Sequence, residues 1–485
     1  MTPAAKTDTD MCHTPAATIG MLIDDVLLAI FDFCRDMRYN WLPRPPPYFW
    51  NWHMLVHVCR RWRKIIFDSP CRLNLRILCT YGTPVRKNLG IWPAFPIDLQ
   101  FCSSIEPSLK EQDNAIATLE HRDRVHSVRL SARGPQLAKF AAFMQEPFPV
   151  LTHFYLSTLG EDTLVLTAGF LGGSAPHLQE ITLHRISFPA LPTLLLSTSD
   201  LVTLNLLDIP TLGYISPERM VESLAALSRL KVFTITFQDT ALRHDRIRPP
   251  PVTRPVLPAL TSFEFRGALE YLEDFVAQID SPKLERISII YLEPLDDVQL
   301  TLPQVSDFID RLIGPKSTPT KHAHVHLRND RVTFTLSQNY DAPQGRYQRS
   351  VTTTISHTEY NFLEVSEIAS VLGQYSAALC TVVHLELDAE IEEDGHPDEW
   401  LHLLRHFPLM QALHVSLKLA APVSLALENI TTEMVAEVLP SLGLICLEGK
   451  PASSLKKIVA IRRFSDHPIT VVETREEFNE RVESY

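Results

Sequence analysis

The sequence has no long uncharged apolar run, which argues against a membrane-spanning helix because such a helix needs about 20 mostly apolar residues. The apolar stretch from Met21 to Cys34 is interrupted by Asp24, Asp25 and Asp32. The first residues also lack the basic and apolar segments of a secretory signal peptide. We therefore expect no membrane partner and a cytoplasmic or nuclear location.

Closely spaced cysteine pairs are also missing. No CxxC motif and no compact zinc-ligand spacing occurs, and several cysteines lie within apolar stretches. This pattern favours reduced thiols in an intracellular protein over disulfides or a structural zinc site. The cysteines are Cys12, Cys34, Cys59, Cys71, Cys79, Cys102, Cys380 and Cys446.

A surplus of positive charge is missing as well, since the formal net charge is -12. Binding to nucleic acid depends mainly on Lys and Arg that neutralise phosphates, so we expect no nucleic-acid partner. With 485 residues, 45% of them hydrophobic, the chain is too long for one ordinary core. Several packed units or a repeating array are expected.

Near the N-terminus the spacing of apolar residues predicts two helices. Leu22, Val26, Ile30 and Phe33 form one stripe of a helix that begins near Ile23. After a proline-rich break, a second apolar stripe predicts one helix that opens at residue 52 and stops before the proline at position 70. Its apolar stripe contains Trp52, Leu55, Val56, Cys59, Trp62 and Ile66, and Arg60, Arg61, Arg63 and Lys64 occupy the solvated arc.

These residues resemble the F-box, a three-helix motif. Ile23 stands where the family usually has proline, and the insert at 35–51 lengthens the first connection. The continuation after the motif resembles the linker of F-box families expanded in mushroom-forming fungi. The matching residues are Leu22, Asp24, Asp25, Val26, Leu27, Ile30, Phe31, Trp52, Leu55, Val58, Cys59, Arg60, Trp62 and Ile65.

The resemblance implies docking on the small adaptor subunit of a cullin-RING (SCF-type) ubiquitin ligase. An ordinary helical hairpin with a solvated arginine face is the first alternative, and a basic nucleic-acid helix is a weaker one. The residues that the resemblance assigns to adaptor binding are Leu22, Val26, Leu27, Ile30, Phe31, Leu55, Val58 and Trp62.

Farther along the chain an apolar-x-x-apolar-x-apolar pattern recurs. It begins at Leu151, Leu178, Leu201, Leu230, Leu260 and Leu284, in steps of 23 to 30 residues. These steps lie near the period of leucine-rich repeats. Helix-like segments separate the apolar runs, clearest at residues 216–230, 268–279 and 303–313. The predicted fold class is α/β, an N-terminal helical F-box-like module followed by an irregular α/β leucine-rich-repeat solenoid with parallel strands.

The predicted organisation has four parts. They are a flexible N-terminus (1–17), the F-box-like helical module (18–80, with the Pro-rich insert at 35–51), a linker (81–104) and the repeats (105–485), which carry an inserted hairpin near 315–357 and a C-terminal cap. The asparagine that usually follows each repeat strand is missing. We therefore expect irregular repeats whose turns find other hydrogen-bond partners.

Three alternating histidines, His322, His324 and His326, are the best candidate metal ligands in the sequence. Ala323, Val325 and Leu327 would then face the core, leaving the histidines on an ordinary polar face, and no acidic or cysteine partner is identifiable. We therefore expect no metal site, no cofactor and, because local sequence indicates no catalytic pair, no enzyme.

The remaining hypothesis is a binding surface, because alternate residues of each strand point away from the core. The function predicted is a substrate receptor of an SCF-type ubiquitin ligase, bound through the adaptor to the cullin complex, with the repeats holding an unknown protein substrate. A repeat scaffold independent of any ligase is the alternative. The candidate partner surface comprises His153, Tyr155, His184, Asn205, Glu264, Arg266 and Arg286.

Overall fold

A computed structural model describes most of the chain. The described residues are 19–36, 52–70, 72–91, 93–103, 108–238, 253–291, 303–313, 321–328, 331–337, 350–356, 365–390, 396–451, 455–463 and 468–482. The predicted flexible N-terminus (1–17) lies outside these residues, as does most of the Pro-rich insert. None of the described helices is long and apolar enough to cross a membrane.

Contacts divide the chain into two compact units, which we call unit 1 (within residues 1–100 and 109–125) and unit 2 (within 101–108 and 126–485). Residues 81–104, predicted to be a linker, contain a helix and a strand. The elements of unit 1 are α1 (Asp24–Asp36), α2 (Trp52–Val56), α3 (Arg60–Asp68), β1 (Ile77–Thr80), α4 (Val85–Asn88), β2 (Ile97–Cys102) and α5 (Leu109–Leu119).

The core of the helical module lies between α1 and α3. Leu27 and Ile66 are fully buried, and Phe31 meets the Trp62 ring edge-on at a centroid distance of 4.8 Å. Two acidic residues occupy the first turn of α1, where negative charge is favourable. The predicted helix start near Ile23 is therefore confirmed to within one residue.

The prediction of one helix from residue 52 is wrong, because the chain breaks into α2 and α3, although α3 does end before the proline at position 70. Cys59 adopts an extended conformation and its Sγ accepts a hydrogen bond from the Trp62 amide at 3.4 Å, which caps α3. Arg63 donates from Nε to the Val56 carbonyl at 2.9 Å, which satisfies an end of α2. Cys59 is consequently exposed and does not lie on an apolar stripe.

Unit 2 is a mixed α/β structure built from strand and helix pairs. Its strands are β3 (Val125–Ala132), β4 (His153–Thr158), β5 (Leu164–Val165), β6 (Glu180–His184), β7 (Ile186–Ser187), β8 (Thr203–Ile209), β9 (Val232–Phe237), β10 (Ser262–Gly267), β11 (Arg286–Tyr291), β12 (His322–Leu327), β13 (Arg331–Ser337), β14 (Ser350–Ser356), β15 (His384–Ala389), β16 (Ala412–Val415), β17 (Leu444–Leu447) and β18 (Thr470–Val472). Its helices are α6 (Gly134–Ala142), α7 (Leu191–Leu195), α8 (Pro217–Ala225), α9 (Leu269–Ala277), α10 (Pro303–Ile313), α11 (Val365–Gly373), α12 (Ser376–Leu379), α13 (Pro397–Leu404), α14 (Ala420–Asn429), α15 (Thr432–Val438), α16 (Lys456–Arg462) and α17 (Arg475–Val482).

Apart from β5 and β7, which pair with each other in a small separate sheet, these strands form a long, mostly parallel sheet in the order β3-β4-β6-β8-β9-β10-β11-β14-β13-β12-β15-β16-β17-β18. Every first position of the apolar pattern is buried, as are the two apolar positions that follow it on each strand. The inner face packs on helices: Phe233 and Phe263 contact Phe275 of α9, with centroids 5.8 and 5.5 Å apart. The predicted α/β fold with mostly parallel strands is therefore confirmed in unit 2, and it is compatible with the predicted repeat array.

Turns in unit 2 find hydrogen-bond partners other than a repeated asparagine. Arg185 takes a positive φ directly after β6, and Asp208 takes one within β8, where the register with β9 shifts. The Thr158 hydroxyl donates to the Arg185 carbonyl at 2.5 Å, and the Thr236 hydroxyl accepts from the Asp208 amide at 2.6 Å. Threonines on neighbouring strands thus satisfy backbone groups at one turn and at one irregular strand position, without an asparagine ladder.

The predicted inserted hairpin is present as β12 and β13, which pair antiparallel. The predicted turn at 329–330 lies outside the described residues. β13 also pairs antiparallel with β14, so the insert adds a locally antiparallel segment to the sheet. Near the C-terminus, the predicted short strand at 469–472 is confirmed as β18.

Candidate partner-binding surfaces

Helix α1 has two apolar faces, and only one of them is buried. Val26 and Phe33 lie seven residues apart on one arc and are 40% and 64% exposed, and Ile23, directly before the helix, is 65% exposed. Leu27 and Phe31 lie on the other arc and pack against α3. A helix with this much apolar surface is normally covered on both faces.

Further exposed apolar side chains lie close to α1 in the sequence or on the segment around α2. Met21, at the end of a short 3-10 helix, is 66% exposed, Met54 of α2 is 70% exposed, and Val58 is 59% exposed. We call Met21, Ile23, Val26, Phe33, Met54 and Val58 the apolar surface of unit 1. An accumulation of exposed apolar side chains in one small module is typical of a protein-interaction site.

The residues predicted to bind the adaptor divide into three groups. Leu27 and Phe31 are buried within the module, so they hold α1 in place. Val26 and Val58 are exposed. The half-buried residues are Leu22, Ile30, Leu55 and Trp62.

The residues of the predicted partner surface all lie on strands of unit 2 and point away from the buried face. We call this side of the sheet the outer face, and its predicted residues are His153 and Tyr155 of β4, His184 of β6, Asn205 of β8, Glu264 and Arg266 of β10, and Arg286 of β11. All of them are half-buried or exposed. The side-chain alternation predicted from the sequence is therefore confirmed here.

Neighbouring strands link some of these side chains. The Arg129 guanidinium lies 4.8 Å from the Tyr155 ring centroid. His184 Nε2 lies 3.2 Å from Asp208 Oδ2, and Arg266 lies 3.6 Å from the other oxygen of Asp208. The N-terminal half of the outer face therefore carries cationic, aromatic and amide groups in fixed positions.

The three alternating histidines of β12 meet a second His/acid strand, β15. His322 pairs with His384, whose Nδ1 atoms are 3.2 Å apart, and His326 pairs with Asp388. Burial lowers the pKa of His322 to about 3, with help from His384 and Lys321. Burial and Lys321 lower the pKa of His384 to about 4. Both rings are therefore neutral at neutral pH, and one Nδ1–H donates to the other ring.

Next to this pair, Glu386 connects the two strands to the C-terminal repeats. Burial raises the pKa of Glu386, but the contact with His414 and the Arg475 guanidinium bring it below the usual value. His414 is 2% exposed and lies 3.5 Å from Glu386 and 3.0 Å from Glu448.

Acidic partners for the histidines were not identified in the sequence, and this expectation is wrong. Asp388 lies 62 residues after His326, yet its Oδ2 is 3.1 Å from His326 Nδ1. The detectable signal was the same alternation in both strands, with His384, Glu386 and Asp388 at outward positions of the repeat. His326 and Asp388 come together because β12 pairs directly with β15, although β13 and β14 lie between these two strands in the sequence.

Helix α17 covers the C-terminal end of the outer face. Phe478 contacts His414 at a centroid distance of 5.4 Å and is buried with Cys446 and Val472. Arg475, at the start of α17, forms an ion pair with Glu386. The outer face of β16 to β18 is therefore occupied by this chain, whereas the predicted partner residues lie on earlier strands.

No protein-family model matches this chain, and no curated protein matches it either. Among solved structures, it is similar to the leucine-rich repeat-containing protein LegL7 from Legionella pneumophila, with 13% identity, a TM-score of 0.26, and coverage of 76% of this chain and 88% of that one. It is also similar to the Rad7 and Elc1 complex in yeast, with 12% identity, a TM-score of 0.30 and coverage of 94% of each chain. At such low TM-scores neither similarity bears on function.

Proposed function

We propose that this chain is a non-enzymatic substrate receptor of an SCF-type ubiquitin ligase. Unit 1 docks the adaptor subunit that joins it to the cullin complex, and the outer face of unit 2 holds a protein substrate. Ubiquitin transfer belongs to other subunits, and the receptor contributes by bringing the substrate close. Within the described part of the chain, Cys59, Cys79, Cys380 and Cys446 form no disulfide, which fits a cytoplasmic or nuclear location.

The observation that carries this proposal is the apolar surface of unit 1. Burying an apolar side chain in an interface removes its surface from water, at roughly 25 cal/mol per Å². Val26 and Val58, two of the residues that the F-box resemblance assigns to adaptor binding, are exposed and available for this. The helix arrangement α1, α2, α3 also agrees with a three-helix motif.

The substrate half of the proposal is supported by the outer face of β4 to β11. Its side chains are mixed in charge and include His153, Tyr155 and Arg286. Arg and Tyr are common in the energetically dominant parts of protein interfaces. A repeat scaffold outside any ligase would use the same face, so adaptor binding separates the two functions.

Adaptor binding is tested with charge substitutions in the apolar surface. Val26→Lys and Val58→Lys place an ammonium group where an apolar contact is proposed, and each should weaken binding of the purified adaptor to the full chain by more than about tenfold, since burying an unpaired charge is costly. Binding is measured by calorimetry or by surface immobilisation. Both variants should keep the circular dichroism spectrum of the parent chain, because both valines are exposed.

Two valines of unit 2 provide matched controls. Val150 is 38% exposed, close to the 40% of Val26, and Val165 is 49% exposed. Val150→Lys and Val165→Lys should leave adaptor affinity unchanged. If the parent chain fails to bind the adaptor, or if all four variants bind like the parent, the scaffold function is the better account.

A further inference from the structure

Strands β12 and β15 bring two imidazoles and a carboxylate together on the outer face. His324 and His326 are two residues apart on β12, so both point to the same side of the sheet. Asp388 is the register partner of His326 on the parallel strand β15. One ligand atom from each of the three side chains lies within 4.8 Å of the other two.

His324 contributes an imidazole nitrogen that lacks a partner. Its Nε2 is buried and accepts or donates no hydrogen bond within the described part of the chain. The positive charge of Arg475 would repel a bound cation, but this charge is balanced by the ion pair with Glu386.

The carboxylate of Asp388 is held in place by a group outside the cluster. Its Oδ1 accepts a hydrogen bond from the Ala389 amide at 2.8 Å. Supporting hydrogen bonds of this kind orient the ligands of metal sites. This one leaves Oδ2 directed at His326 Nδ1, 3.1 Å away.

We propose that His324, His326 and Asp388 bind a divalent first-row transition metal ion, with zinc as the physiological candidate. Two imidazole nitrogens and a carboxylate oxygen are a donor set that suits zinc. Bonds of about 2.0 to 2.1 Å in a tetrahedral site separate neighbouring ligand atoms by about 3.3 Å, close to the 3.1 Å between His326 and Asp388. Water completes the coordination, and the site is independent of adaptor docking.

An ordinary His–Asp hydrogen bond is the competing explanation, and the outer face contains a reference for it. His184 and Asp208 are 3.2 Å apart, a separation like that of His326 and Asp388. Among the described residues this pair does not belong to a group of three converging ligands. Substitution of His184 therefore shows how loss of an isolated His–Asp pair affects metal affinity.

The test is a titration of the full chain, freed of metal with a chelator, with Zn²⁺ by calorimetry and with Co²⁺ by its visible absorption. We expect one ion per chain and the intense absorption of four-coordinate Co²⁺. His324→Gln, His326→Gln and Asp388→Asn should each weaken binding by more than about tenfold, because even loss of a supporting group costs roughly 10- to 100-fold. His184→Gln should leave the affinity unchanged.

Thermal unfolding provides a second measurement, since an ion that binds only the folded chain raises its unfolding temperature. Zn²⁺ should raise it in the parent chain and in His184→Gln but not in Asp388→Asn. Circular dichroism establishes that the variants are folded, and any one folded ligand variant suffices for the comparison. Absence of saturable binding, or a loss of less than about tenfold in every folded ligand variant, would overturn the proposal.

Discussion

Asp98 is a single carboxyl group whose position inside unit 1 has a measurable consequence. Its side chain is 12% exposed, and the Arg76 guanidinium lies 3.4 Å away. Burial raises the pKa of Asp98 to about 6, although the charge and the hydrogen bond of Arg76 act in the opposite direction. The folded state therefore binds this proton more tightly than the unfolded state, in which the pKa is about 3.9.

Because the folded pKa is the higher one, the contribution of this proton to stability is complete below about pH 4 and is lost as pH rises through about 6. Asp98→Asn removes the titration. As pH rises from about 4 to about 7, the unfolding free energy of this variant should increase relative to that of the parent chain by up to roughly 3 kcal/mol. Denaturant unfolding at both pH values measures this.

Asp113 provides a control of opposite sign. It is exposed at the surface, and hydrogen bonds from Arg86 lower its pKa. Stability from this carboxylate is present above the unfolded pKa and lost as pH falls, so Asp113→Asn should lose stability relative to the parent chain at the higher pH. The same pH trend in both variants would contradict the burial of Asp98.

Among the secondary-structure elements, α1 shows what apolar periodicity alone can and cannot predict. The sequence predicts its start and its apolar stripe, and the stripe through Val26 and Phe33 is the exposed one. Periodicity locates apolar arcs but does not say which of them packs inside the module and which awaits a partner. That choice depends on Trp62 and Ile66 of α3, whose phase follows from the Cys59 cap.

The two faces of α1 make a direct prediction about two phenylalanines of one helix. Phe31 is 3% exposed and Phe33 is 64% exposed. Phe31→Ala should cost about 3 to 5 kcal/mol of unfolding free energy through lost burial and a cavity, whereas Phe33→Ala should stay within about 0.5 kcal/mol. Urea unfolding and limited proteolysis of the full chain measure the difference.

The second variant is informative for binding as well. Phe33→Ala should weaken adaptor binding while the chain remains folded, because it removes part of the apolar surface of unit 1. Equal destabilisation by both substitutions would mean that the assignment of the buried face is wrong.

The strands of unit 2 were the elements that the sequence predicted best. An apolar-x-x-apolar-x-apolar pattern commits three side chains to the core, and all three are buried in each repeat, as at Leu201, Leu204 and Leu206. Helices such as α8 were also predictable, because Ser216 and the following proline are a cap and a first turn. Local sequence signals are enough to predict these strands and helices, because each one packs in the same way as its counterpart in the neighbouring repeat.

At the scale of the whole molecule, the sequence left undetermined what depends on distant parts of the chain meeting. The acidic partner of His326 comes from a strand beyond an insert, and the cover over Cys446 comes from Phe478 of α17. Neither contact has a local signature. The alternation of polar residues predicted the outer face but not which of its parts the chain itself occupies.

In the proposed function the two units bind different partners: unit 1 binds the adaptor, and the outer face of unit 2 stays free for a substrate. Hydrogen–deuterium exchange of the full chain, with and without saturating adaptor, tests it most directly. We expect slower exchange in residues 19–36 and 52–58 and unchanged exchange in β4, β6, β8, β10 and β11. Protection of those strands by the adaptor, or no protection of α1 and α2, would contradict the account.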